Sequence, residues 1–222
     1  MTAIHLRNLF AALLLCSGIL VVWGCGFSAD HPTVERRNVA IVSVEPHAFL
    51  VERLSGGHFT TEVIVPTGKE PESYQPTPGT INAVVSAGVW FQTGMGFEPF
   101  LRQKLESLSQ TPITVVDLRR GLVLRSLELH SDHADKSHQH DLGCSHDGLD
   151  PHIWLSPAAL LLQAETIHQT LCELDPERIN VYTKNYEQLI EEIKTVQSNL
   201  TQQLASFKGK TLFVYHPAYG YF

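Results

Sequence analysis

Positive charge and cysteine are both scarce in this 222-residue sequence. Lys plus Arg number 16 against 23 Asp plus Glu, a formal net charge of −7. That balance argues against a general nucleic-acid binder, which needs a basic surface to neutralise phosphates. The four cysteines include no Cys-x-x-Cys pair, so a structural zinc knuckle is not indicated. There is no His-Glu-x-x-His, Gly94-Met95-Gly96 is not followed by the pattern of a nucleotide loop, and Ser156 lacks a nucleophile-elbow context. Enzyme activity is therefore not expected. Residues 9–23 form an apolar run of about 15 residues, too short to favour a membrane span. With 43% hydrophobic and 18% charged residues, the chain can pack a core and is neither disordered nor polytopic. What is abundant is histidine: 12 are present, five of them within residues 130–146. Imidazoles combined with excess acid point toward cations.

Residues 1–24 carry one fixed positive side chain, Arg7, and no acid ahead of or within the apolar run. This is the pattern of a secretory signal. The segment ends Val22-Trp23-Gly24-Cys25, which resembles a bacterial lipobox, although Trp23 stands where a small residue is usual. Export is expected, with lipidation at Cys25; the alternative is an uncleaved N-terminal anchor. Cys144 and Cys172 would then remain, either bridged in an oxidising compartment or as two separate thiols.

Length allows one large domain or two small ones. Residues 25–37 read as a tether. Beyond them, apolar β-branched runs at 38–44 (NVAIVSV), 60–65 (TTEVIV), 89–92 and 113–117 (ITVVD) alternate with helical patterns at 46–54, 77–86 and 97–108. The expected fold class is α/β, a parallel-sheet lobe with helices on both faces. The pattern stops in the low-complexity segment that contains residues 130–146, expected as a surface loop. It resumes with a helix capped by Ser156 and opened by Pro157, closing a lobe over 38–174. Residues 175–208 then carry apolar side chains at alternating spacings of three and four, from Ile179 to Phe207, predicting a rod of roughly 45 Å. Such a rod suits a bridge between two lobes. Residues 211–215 (TLFVY) predict a further buried strand, so 209–222 is expected to open a second, truncated α/β lobe.

Three motifs follow strands or the loop segment: Pro71-Glu72-Ser73-Tyr74-Gln75-Pro76, Asp150-Pro151-His152-Ile153-Trp154-Leu155-Ser156-Pro157, and His216-Pro217-Ala218-Tyr219-Gly220-Tyr221-Phe222. Open α/β folds build their sites at such carboxyl edges. With Gly94-Met95-Gly96-Phe97-Glu98, these motifs resemble the periplasmic zinc- and manganese-binding proteins of ABC transporters, the cluster A-I or zinc-uptake solute-binding family. The resemblance runs from about residue 38 to 222 and implies two α/β lobes joined by a rigid helix, with the metal in the cleft.

It also implies metal ligands at His152 and His216. Glu72 stands where many relatives have histidine, in Pro-His-x-Tyr-Glu-Pro. A carboxylate can bind Zn²⁺ at about 2.0–2.2 Å, so Glu72 is a candidate ligand; the alternative is a solvated loop acid. Its hardness shifts preference toward Mn²⁺ or Fe²⁺. The family's fourth ligand, an acid of the second lobe, would lie beyond Phe222. His130, His133, His138, His140 and His146, with Asp132, Asp135 and Asp141, match the His/Asp-rich insertion of zinc-specific relatives and favour zinc through weak chelation. His47 is open between a ligand and a hydrogen-bonded helical histidine, while His58 and His168 are expected at the surface. The implied role is capture of Zn²⁺, with Mn²⁺ as the variant, outside a bacterial inner membrane and delivery to an ABC permease. A monomer is expected, touching the membrane only through a lipid anchor. A metal-buffering lipoprotein or adhesin, and a non-functional fragment, stay open.

Overall fold

The computed structural model describes residues 38–109, 112–126 and 148–222. The expected signal, tether, Cys25, Cys144 and the histidine-rich residues 130–146 lie outside the described residues.

The short β-branched runs become β1 (Val39–Val42), β2 (Thr60–Val63), β3 (Val89–Gln92) and β4 (Thr114–Asp117), all parallel, in the order β2-β1-β3-β4. The chain steps outward from β1 to β2, then returns to the other side of β1 to form β3. That reversal leaves a crevice at the carboxyl ends of β1 and β3, where an open α/β sheet binds ligands.

Each helix begins where its sequence allows. Helix α1 (Glu45–Ser55) has proline in its first turn and ends at Gly56, whose φ of 60° is left-handed and lets its N–H reach the Glu52 carbonyl. Thr77 caps α2 (Pro78–Ser86) by accepting from Thr80 N–H, and Ser156 caps α4 (Pro157–Leu174) by accepting from Ala159 N–H. Between them, α3 (Glu98–Leu108) opens on an acid and a proline. The last helix is α5 (Ile179–Leu204).

Alternation along the strands separates two cores. Ala40, Val42, Val89 and Phe91 face α1, α4 and α5; Ile41 and Trp90 face α2 and α3. The sheet is thus covered on both faces, as its buried central strands β1 and β3 require.

Helix α5 is 26 residues long, about 39 Å, and continues into a 3₁₀ turn over Ala205–Phe207. Tyr182, Leu189 and Ile193 are buried against the lobe, whereas Val196, Leu204 and Phe207 are exposed. At its start, Tyr182 Oη donates to Asp175 Oδ2 at 2.7 Å, and Arg178 pairs with the same oxygen.

One expectation fails. Residues 211–215 form no strand and are exposed: Phe213 is 91% and Tyr215 107% accessible. A strand needs a hydrogen-bonded neighbour, and none pairs with this segment among the described residues. His168 is partly exposed and stacks on Tyr186 at 4.6 Å between ring centroids. Cys172, one helical turn on, forms no disulfide among the described residues.

The uneven packing of α5 has a measurable consequence. Leu189→Ala is expected to cost about 2–5 kcal/mol in urea unfolding, as for a buried leucine. Val196→Ala should stay within about 0.5 kcal/mol of wild type. Equal losses would show that the far half of the helix is packed too.

Candidate metal centre

The loop after β2 carries Glu72. Pro71 and Pro76 restrict it, and Tyr74 fastens it by packing edge-on against Phe97 and bonding Thr80 Oγ1 at 3.2 Å. The turn before α4 carries His152, and the irregular segment after α5 carries His216.

These three side chains converge. Glu72 Oε1 lies 3.0 Å from His152 Nε2 and 3.0 Å from His216 Nε2, and the two Nε2 atoms are also 3.0 Å apart. Ligand atoms of a tetrahedral zinc site, each about 2.0–2.1 Å from the ion, lie roughly 3.3 Å apart. The triangle therefore needs to open by only a few tenths of an ångström to admit such an ion. Burial is graded across it: His152 is 5% exposed, Glu72 is half-buried and His216 is exposed.

Asp150 stands behind His152. Its Oδ1 accepts from His152 N–H at 2.9 Å and lies 2.7 Å from Nδ1. A carboxylate there makes Nδ1 the protonated nitrogen and leaves the Nε2 lone pair facing Glu72 and His216. This is the outer support that orients a metal-binding imidazole.

The charges are poised accordingly. The hydrogen bond from His152 holds the Glu72 carboxyl below the ordinary carboxylate range, despite opposing burial. Burial pulls the His152 pKa down, but hydrogen bonds to Glu72 and Asp150 outweigh it and raise the value. This imidazole therefore holds its second proton more readily than an ordinary histidine does, and the Nε2 lone pair is bared when that proton leaves.

His47 is not in the cluster. It is fully buried, with Nε2 donating to Gln163 Oε1 at 2.6 Å and Nδ1 3.3 Å from Thr93 Oγ1. Gln163 Nε2 in turn donates to the Ile153 carbonyl at 3.1 Å, next to His152. Both His47 nitrogens are thereby committed, which fits the hydrogen-bonded alternative. Trp154 packs its edge on both His47 and His152.

A second buried network involves Glu98, which accepts from Ser43 Oγ at 2.6 Å and from Thr93 and Gly94 N–H at 2.8 Å each. It pins the loop after β3, the Gly94-Met95-Gly96 segment. Asp150, Gln163 and Glu98 were not singled out for these roles by sequence reasoning. Gln163 had a legible signal, a polar residue on the inward stripe of α4 beside Ala164 and Ile167.

An all-parallel α/β lobe with an imidazole–carboxylate triangle at the carboxyl edge of its sheet defines a cation-binding class. The family model described as "Zinc-uptake complex component A periplasmic" (ZnuA) matches residues 41–222, and the chain belongs to that family. It is 27% identical to the manganese-binding lipoprotein MntA of Halalkalibacterium halodurans, over 91% of this chain and 63% of that protein. It is 28% identical to the high-affinity zinc uptake system protein ZnuA of Yersinia pestis, over 82% of this chain and 61% of that one. The chain thus spans about six tenths of the length of these two relatives. A crystal structure of a zinc-bound ZnuA deletion mutant superposes with a TM-score of 0.68 at 27% identity, covering 82% of this chain and 64% of that one.

The His47 network generates a pH test. Burial depresses the His47 pKa from 6.5 to about 4, so the folded state keeps this imidazole neutral while the unfolded chain protonates it. Its contribution is present above pH 6.5 and is lost as pH falls toward 4, by about 3 kcal/mol in all. Glu98, whose carboxyl burial raises, contributes with the opposite sign in wild type and variant alike. The difference in urea stability between wild type and His47→Gln should therefore shrink or invert between pH 7 and pH 4.5. A constant difference would refute a buried neutral His47.

Proposed function

We propose that this chain captures Zn²⁺ outside the cytoplasmic membrane for an ABC transporter permease, with Glu72, His152 and His216 as its protein ligands. The observation that carries this reading is the triangle of ligand atoms at 3.0 Å, one member of which is oriented by Asp150 from behind. Two imidazoles and one carboxylate form a donor set that zinc accepts, with a position left for a further ligand. The zinc-uptake family and the zinc-bound structural relative support the choice of ion and the transport role. In the same reading Cys25 anchors a monomer by its lipid. The histidines of residues 130–146 collect metal weakly ahead of the main site.

Manganese is a specific second reading. Glu72 supplies a hard oxygen donor, and MntA is among the similar proteins. Competition between the two ions decides: Zn²⁺ displaced by equimolar Mn²⁺ would overturn the zinc assignment.

Zinc titration against a chromophoric chelator is expected to give tight one-to-one binding that survives deletion of residues 130–146. Loss of tight binding on that deletion would support metal buffering by the segment instead. His152→Ala should abolish the tight phase, and Asp150→Asn should weaken it roughly 10- to 100-fold.

Protons compete with zinc for Nε2 of His152, whose pKa is raised, so affinity should begin to fall above pH 6.5 and keep falling as pH drops. Affinity unchanged from pH 7.5 to pH 5 would sink the histidine assignment.

A further inference from the structure

Residues 209–222 contain no helix or strand, yet they present His216 to His152 at 3.0 Å. Something other than secondary structure must fix this segment. Asp150 N–H donates to the Arg125 carbonyl at 2.8 Å, beside the antiparallel bridge between Ser126 and Leu149. In a hydrogen-bonded antiparallel pair the return bond runs from Arg125 N–H to the Asp150 carbonyl. Here the Tyr221 hydroxyl stands between them. It accepts from Arg125 N–H at 3.1 Å and donates to Asp150 O at 2.9 Å, while its ring packs against the core shared by α1, α4 and α5. One residue earlier, Gly220 lies so close to the Asp150 carboxylate that an added Cβ would overlap Oδ2.

We infer that Tyr221 and Gly220 are positioning residues of the metal centre: the Tyr221 hydroxyl latches the segment into the Arg125–Asp150 pair so that His216 faces His152, and Gly220 leaves the space in which Asp150 holds His152. The inference rests on the metal-binding reading above. The two residues act through different ligands, Tyr221 through His216 and Gly220 through Asp150 and His152, which makes them separable.

The test measures zinc affinity and urea midpoint on the full chain for wild type, His152→Ala, His216→Ala, Tyr221→Phe, Gly220→Ala, and the latter two each combined with His216→Ala. Tyr221→Phe should weaken zinc binding roughly 10- to 100-fold, yet change it by less than about twofold when His216 is already alanine. Gly220→Ala should weaken binding in both backgrounds. The Tyr221 assignment is overturned if Tyr221→Phe binds like wild type, including with a lowered urea midpoint, or if its loss adds in full to that of His216→Ala. Wild-type affinity in Gly220→Ala overturns the Gly220 role. A wild type that binds no zinc, or binds it equally well without His152, removes the metal reading and this inference together. Binding that needs His152 and His216 but ignores Tyr221 removes only the latch.

Discussion

The hydrogen bond between His152 Nδ1 and Asp150 Oδ1 is the contact on which the candidate metal centre turns. It selects the tautomer, and the tautomer decides whether a lone pair or a proton points at Glu72 and His216. A nearly buried imidazole without that partner would be free to present either nitrogen. The same carboxylate oxygen also accepts the His152 backbone N–H, so ring and main chain are set by one group. Further back, the path from Thr93 through His47 and Gln163 to the Ile153 carbonyl fixes the turn that carries the ring.

These polar chains sit where they do because the strand order reverses at β1 and β3. Ser43 and His47 follow β1, and Thr93 and Glu98 follow β3. The two buried networks meet at Thr93, whose hydroxyl faces His47 and whose N–H bonds Glu98. A low-dielectric crevice makes such bonds strong and makes an unpaired member costly. The site is therefore built on a floor that resists rearrangement. By contrast, Glu72 and His216 arrive on irregular segments tied down at few points.

Much of the lobe was legible before any coordinates. Four β-branched runs, the Ser156-Pro157 start and the alternating threes and fours after residue 178 are local signals, and local signals determine local structure. The convergence of Glu72, His152 and His216 was readable only through motif resemblance, because spacing along the chain says nothing about proximity across it. Residues 211–215 misled for a related reason. A β-branched run reports a propensity to pair, whereas a strand also needs a partner. The roles of Gln163, Tyr221 and Asp150 escaped because a polar residue's sequence environment does not reveal which distant backbone group it satisfies.

The cluster spans large separations along the chain, 80 residues from Glu72 to His152 and 64 from His152 to His216. Closing such loops costs entropy that only neighbouring native contacts can offset. The triangle is therefore a long-range feature, held by the sheet, its helices and the Arg125–Asp150 pair rather than by local sequence. An ion held by these three residues would cross-link segments far apart along the chain, and by binding the folded state it would stabilise the whole lobe.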